Sequence, residues 1–235
     1  MKPSERDTLI SAGDNRAMFD RIAPRYDLLN TVMSLGLHRY WRKVAVRHLL
    51  SGGGLDFLDI GCGTGEIALE VLQQSPAAKV AGIDPAVRML KIAADKAGQE
   101  GLSGRVIYKE GDATMLLFPD ASFDGIVCAF CLRNITNRSA ALSEMRRVLR
   151  PEGTLAILEL TAPRNKLLKG IHTFYTHGII PLMGQVMKQG NAYQYLADSI
   201  DHFPSPPVIV DELIQAGFTG AQYSSLTGGF VTLFH

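Results

Sequence analysis

The sequence predicts an α/β fold, a Rossmann-like seven-stranded sheet that is mostly parallel and closes with an antiparallel hairpin. Three observations predict it. Short apolar, β-branched runs alternate with amphipathic helical patterns through the middle of the chain. A glycine-studded turn, Gly61-Cys62-Gly63-Thr64-Gly65, joins the first of those runs to a helix. The C-terminal stretch "GAQYSSLTGGFVTLFH" divides at Gly228-Gly229 into two short strand patterns.

The elements follow in order. Two helix candidates, around "RAMFDRIAPRYDLLNTVM" and "RYWRKVAVRHLL", precede the Gly52-Gly53-Gly54 break. The first strand is the apolar run before Gly61, the second ends at Asp84, and the third, "RVIYKEGDA", ends at Ala113. The fourth, "FDGIVCAF", ends at Phe130, and the fifth, "GTLAILEL", at Leu160. Between them, "PAVRMLKIAADKAGQE" puts Pro85 in a first turn and Val87, Leu90, Ala94 and Ala97 on one face. "SAALSEMRRVLRPEG" puts Leu142, Met145 and Leu149 on one face and stops at Pro151 and Gly153. A helical insertion follows the fifth strand. The expected division is one domain over 1–235: N-terminal helices over 1–50, an alternating core over 51–162, a helical insertion over 163–204, and a terminal helix with hairpin over 205–235.

Bulk properties exclude several classes. With 46% hydrophobic and 20% charged residues the chain is globular rather than disordered. A formal net charge of +1 offers no general attraction to nucleic acid. The first residues lack a signal-peptide core, and the most apolar stretch, Gly170 to Met187, is interrupted by His172, His177, Gln185 and Pro181. A cytoplasmic location is expected. Cys128 and Cys131 form a C-x-x-C on or just past a strand rather than at a helix start, so they read, with Cys62, as small buried hydrophobes and not as a redox or metal pair.

The glycine turn poses the question of its ligand. A dinucleotide turn would carry a third glycine where this chain has Glu66, and a carboxylate there competes with pyrophosphate for the helix N-terminus. S-adenosylmethionine has no phosphate, and its ammonium and sulfonium are cations that Asp59 could face. Asp84, ending the second strand, suits the two ribose hydroxyls of any adenosyl group. Asp112 and the Ala113 backbone suit an adenine amino group. Three acids ending three consecutive strands around Gly61, Gly63 and Thr64 favour S-adenosylmethionine.

The segments "LDIGCGTGEIALE", "GIDPAVRML", "GDATMLLFPDASFD" and "MRRVLRPEGTLAILEL" resemble the class I methyltransferase motifs in their usual order. "MFDRIAPRYDLLNTVMSLGLHRYWRK", "FCLRNITNR" and "AYQYLADSI" narrow the likeness to the C-methyltransferases of ubiquinone and menaquinone biosynthesis, from about Met18 to the hairpin. The resemblance implies methyl transfer to a ring carbon of a prenylated quinol, most directly demethylmenaquinol. It leaves open homo-oligomerisation and peripheral contact with the inner face of the membrane. Two departures are visible. Ala129-Phe130-Cys131 stands where relatives often have Ser-Phe-Gly, and Pro151-Glu152-Gly153 where Pro-Gly-Gly is usual.

In that chemistry a neighbouring hydroxyl is ionised, so that the ring carbon attacks as an enolate. Arg133, just past the fourth strand, is the candidate to stabilise the developing phenolate, directly or through water. The resemblance implies that an arginine-assisted water is the base. The alternative for it is a salt bridge to Asp20 or Asp27 that fixes the loop. His38 is the second candidate base. Tyr26 is implied to sit near the cofactor, with Asn30 on the same helix face. Phe174, Tyr175, Ile179, Ile180 and Leu182 are the apolar residues expected to shelter the substrate. Two other readings stay open from sequence: a methyltransferase of another small apolar acceptor, and a non-catalytic cofactor-binding scaffold of a quinone-biosynthesis complex.

Overall fold

In the computed structural model, which describes residues 12–180 and 190–235, seven strands form one sheet in the order β3-β2-β1-β4-β5-β7-β6. The strands are β1 (Asp56–Ile60), β2 (Lys79–Asp84), β3 (Val106–Glu110), β4 (Phe123–Ala129), β5 (Leu149–Leu160), β6 (Tyr223–Leu226) and β7 (Val231–Phe234). β1 to β5 pair in parallel, and β7 runs antiparallel to both β5 and β6. The hairpin turns through Gly228 and Gly229, at φ +68° and +95°, as the sequence pattern predicts.

The central strands are buried on both faces, which is why they read as continuous apolar runs rather than alternating ones. One face packs Leu58, Ile126 and Ile157 against helices α6 (Arg138–Val148) and α9 (Pro206–Gln215). The other packs Phe57, Val127 and Leu158 against α3 (Leu37–Ser51) and α4 (Glu66–Gln74). The chain diverges to opposite sides of the sheet between β1 and β4. Above the C-terminal ends of those strands lies the crevice where α/β sheets take ligands.

Several boundaries differ from the sequence expectation. The first helix candidate is split at Pro24 into α1 (Ala12–Ile22), a 3-10 turn (Ala23–Arg25) and α2 (Tyr26–Met33). Proline fits a first helical turn but has no N–H to continue the preceding helix. α5 (Val87–Gln99) is capped by Ala86, so Pro85 lies outside it. Its buried face is Met89, Leu90, Ala93 and Ala97, with Val87 and Ala94 turned to solvent. α6 ends at Val148, because Leu149 already pairs with Phe123 and the chain enters β5 across a bulge. Glu152 there holds φ +63°, the left-handed region that the more usual glycine would occupy without strain. β3 stops at Glu110, and Asp112 instead bridges Met115 in a tight turn. β4 stops at Ala129, since Phe130 turns the chain at φ +56°.

Among the described residues the insertion comprises α7 (Lys166–Phe174), a π-turn (Tyr175–Ile179) and α8 (Gly190–Asp201). Leu182 lies outside the described residues.

Candidate active site

Two cavities meet above the C-terminal ends of β1, β2 and β4. The larger, about 310 Å³, is lined by Gly61 and Gly63 from the glycine turn, Asp84 from β2, and Asp112 and Ala113 beyond β3. Ile83 and Met89 give it apolar walls, while Asn15 and Asn134 bring amides to its rim. Gly61 and Gly63 have φ +65° and +52°. A Cβ on Gly61 would meet Cys131 Sγ at 2.2 Å, whereas one on Gly63 would find only the Tyr26 ring at 3.9 Å. The turn therefore needs Gly61 for packing and presents bare backbone to the cavity at Gly63.

Asp84 holds that turn in shape. Its Oδ2 accepts from the Gly63 N–H at 2.9 Å and its Oδ1 from the Ala86 N–H at 2.8 Å. Burial pushes its pKa up, against the pull of those two donors. Asp112 Oδ1 accepts from both the N–H and the hydroxyl of Thr114 at 2.8 Å. Among the described residues Arg16 is the one cation lining this cavity, and it is paired with Glu110 at 2.7 Å. Acidic acceptors with the one nearby cation already paired suit the hydroxyls and amino group of an adenosyl ligand and offer little to a pyrophosphate.

Asp59 is not on the cavity wall. As the neighbour of Ile60 on an extended strand, its side chain projects to the other face, where it is buried. Burial first of all raises its pKa, to about 7, although the Ala68 N–H donates to it; Oδ2 has no partner among the described residues. Asp59 thus lies behind the cavity wall rather than in it. Thr64 also turns away from the cavity, donating to Asp27 Oδ1 at 2.6 Å. Glu66 binds Arg42 at 2.8 Å and also Lys96, which binds Asp27 at 2.6 Å. It neither lines the cavity nor stands unpaired, so its charge is compensated by Arg42 and Lys96 rather than opposing a ligand.

The smaller cavity, about 130 Å³, lies between α2, α3 and the insertion. Trp41, Tyr175, Ile180, Leu196 and Phe230 make it mainly apolar, and His38 and Arg133 supply polar groups. Of the residues expected to shelter a substrate, Tyr175 and Ile180 are in its wall, Ile179 is not, and Phe174 is 70% exposed. Tyr26 and Phe130 line both cavities and form the partition between them. Burial pushes the Tyr26 phenol upward, opposed by a hydrogen bond from Asn30 and by Arg133.

Arg133 is buried and forms a salt bridge, but to neither Asp20 nor Asp27. Its Nη1 donates to Glu159 Oε1 at 2.5 Å and to the Phe130 carbonyl at 2.7 Å. Its backbone N–H donates to Glu159 Oε2 at 3.1 Å. Glu159 lies on β5 with no solvent exposure. Asp20 and Asp27 are engaged elsewhere, with the Arg88 N–H at 2.9 Å and with Lys96 and Thr64. The Arg133 Nε is buried and has no partner among the described residues.

His38 is also buried, although it stands beside Arg39 in the sequence. Its Nδ1 is 2.6 Å from Ser34 Oγ, and Ser34 spends its own proton on the Asn30 carbonyl at 2.6 Å. Nδ1 must then be the donor, which leaves Nε2 as an acceptor. Burial, with Arg42 and Arg39 nearby, lowers the His38 pKa to about 4.

A family model described as the ubiE/COQ5 methyltransferase family matches residues 10–235. The chain belongs to this family. A ubiquinone/menaquinone biosynthesis C-methyltransferase of Syntrophotalea carbinolica is 39% identical over 221 residues, 94% of this chain and 92% of that protein. A demethylmenaquinone methyltransferase of Deinococcus radiodurans is 39% identical over 218 residues, 92% of this chain and 89% of that protein. A solved S-adenosylmethionine-dependent methyltransferase from Thermotoga maritima shares the fold with TM-score 0.63 at 19% identity, covering 93% of this chain and 97% of that one.

In this methyltransferase the two cysteines of C-x-x-C are packing groups. Cys128 is buried in β4 and Cys131 packs over Gly61. A hydrogen bond donated by the Cys128 thiol to Cys131, together with burial, keeps that thiol well above its usual pKa. Sequence reasoning missed Glu159, whose signal is a lone acid inside an apolar strand. It also missed the chain in which Asn15 Nδ2 donates to Tyr195 Oη at 3.1 Å and Tyr195 donates to Asn134 Oδ1 at 3.0 Å.

Proposed function

We propose that this methyltransferase transfers the methyl group of S-adenosylmethionine to a ring carbon of a prenylated quinol, with demethylmenaquinol as the acceptor. The observation that carries the reading is the meeting of an adenosyl-shaped cavity and an apolar cavity at the Tyr26–Phe130 partition. Family membership supports the cofactor and the quinone chemistry, and the Deinococcus relative supports the naphthoquinol.

Gly61, Gly63, Asp84, Asp112 and Ala113 would hold the cofactor, which supplies an electrophilic methyl on sulfur. The protein's remaining task is to place an oxygen-activated ring carbon in line with that methyl and to exclude water. The unpartnered Nε of Arg133 is a buried donor, and a phenolate oxygen or a water beside it would satisfy it. His38 Nε2, kept unprotonated at neutral pH, is the acceptor available for a ring hydroxyl or ring proton. The N-terminal helices act as a lid over the cofactor: Asp27 ties α2 to the glycine turn through Thr64 and to α5 through Lys96. No helix among the described residues is long and apolar enough to cross a membrane. A prenylated acceptor is then met by peripheral contact with the membrane's inner face.

The test is incubation with demethylated naphthoquinol and benzoquinol and identification of the product by mass. Methylation of neither sinks the reading, and methylation of the benzoquinol alone moves the acceptor assignment.

The His38 environment makes a pH prediction. Its folded pKa of about 4 lies below the unfolded value of about 6.5, so between those values the unfolded chain binds more protons. Stability should therefore fall as pH is lowered from 6.5 toward 4. His38→Gln removes that contribution, so its melting temperature should fall less steeply over the same window. Parallel slopes for the two proteins would mean that His38 is not held neutral by its surroundings.

A further inference from the structure

Helix α7 carries its apolar residues on the wrong side for a soluble surface. Leu167, Ile171 and Phe174, spaced four and three apart, form one ridge and are 75%, 52% and 70% exposed. The same spacing recurs in Leu28, Val32 and Leu35 along α2 and its end, all three exposed. Leu35 is 84% exposed at φ +50°, a turn-tip conformation that a polar residue or glycine usually fills. Tyr175 Oη donates to the Met33 carbonyl, tying the end of α2 to the turn after α7. Both ridges thus border the apolar cavity, whose walls include Met33 and Ser34 from one side and His172 and Tyr175 from the other.

Charge singles out one partner. From Leu160 to Ala197 the sequence holds no Asp or Glu, while Arg164, Lys166 and Lys169 lie at or beside the start of α7 and are exposed. Among the described residues neither Lys166 nor Lys169 takes part in an ion pair. Asp201 approaches the far end of the segment, where it pairs with His177 at 2.9 Å, so the lysine end of α7 keeps its positive charge. An apolar ridge with unpaired lysines at its shoulder is the composition of a helix that lies in a lipid interface. A protein partner at such a face would gain nothing from the missing acids, whereas anionic headgroups attract it.

We propose that α7 is an in-plane docking helix for the surface of an anionic phospholipid bilayer, with Leu167, Ile171 and Phe174 inserted among the acyl chains and Lys166 and Lys169 at the phosphates. Docking there sets the apolar cavity against the membrane, so that a ring enters while its tail stays in lipid. This last consequence rests on the quinol reading; the docking itself does not.

Flotation of the full chain with phosphatidylcholine vesicles, with and without phosphatidylglycerol, tests it. The parent should partition onto the phosphatidylglycerol-bearing vesicles. Leu167→Ser/Ile171→Ser/Phe174→Ser should lower that partition at least about a hundredfold, from the loss of three inserted side chains. Lys166→Gln/Lys169→Gln should lower it about fivefold per charge, and only on the anionic vesicles. Circular dichroism checks that these solvent-facing changes leave the fold intact. The proposal is overturned if the parent does not float, if the triple variant floats like the parent, or if sedimentation shows the ridge to hold two copies of the chain together without lipid. Activity separates the two readings. The triple variant should methylate a short-tailed, water-soluble demethylated quinol at the parent's rate and a long-tailed one in vesicles more slowly. Ridge-dependent flotation without methylation of either quinol would uphold docking and defeat the quinol assignment.

Discussion

Arg133→Ala should lose stability and methyl transfer together, and the loss of stability should be large. The substitution leaves Glu159 buried with no counter-charge, a situation that costs about 3–5 kcal/mol. For a chain of this length that is a drop in melting temperature of about 2–4 °C per kcal/mol. Rate alone therefore cannot assign Arg133 a chemical role. The informative protein is Arg133→Gln/Glu159→Gln, which removes both charges and keeps hydrogen-bonding groups in the same space. It should recover most of the melting temperature and S-adenosylmethionine affinity, while single-turnover methyl transfer stays about a hundredfold to a thousandfold down, the usual effect of losing one donor aimed at developing charge. A double variant that folds, binds cofactor and transfers methyl at the parent's rate would make Arg133 a strut and shift the chemistry to His38.

Asp84→Ala should weaken S-adenosylmethionine about tenfold to a hundredfold, the loss of hydrogen bonds to a charged group worth about 1.5–3 kcal/mol. Two effects contribute. The ribose loses its acceptor, and the Gly63 and Ala86 N–H groups lose theirs, so the turn loses part of its shape. Asp84→Asn keeps one carbonyl oxygen and should fall between. Titration calorimetry of the three proteins checks the order, with NAD as the control expected to show no measurable binding. Undiminished cofactor affinity in Asp84→Ala, or saturable micromolar binding of NAD to the parent, would contradict the assignment.

How far the sequence carried these conclusions depends on the range of the interaction involved. The strands and the glycine turn were legible because burial on both faces leaves an unbroken apolar run, and because a strand-to-helix reversal needs residues without a Cβ. Asp84 was legible for the same local reason, sitting where β2 ends beside that turn. Asp59 was not, since a strand-end acid looks the same whether the alternation of the strand points it into the crevice or under it. The burial of Arg133 depends on Glu159, 26 positions away on a neighbouring strand, and no local pattern announces such a pair. The same holds for Asn15 and Tyr195, brought together across 180 positions. The face of α5 was misjudged because its cap lies at Ala86 and the core it meets, not the periodicity alone, selects Met89 and Ala93.

Tyr26 and Phe130 are walls of two rooms at once. Any ligand that orders this partition from one side changes the surface met by a ligand on the other, so occupancy on the two sides is energetically linked. Linkage of this kind is symmetric: the factor by which the donor tightens the acceptor is the factor by which the acceptor tightens the donor. After the methyl has crossed, both sides hold products, and the same reciprocity works in reverse, because departure of either one removes the support it lent the other.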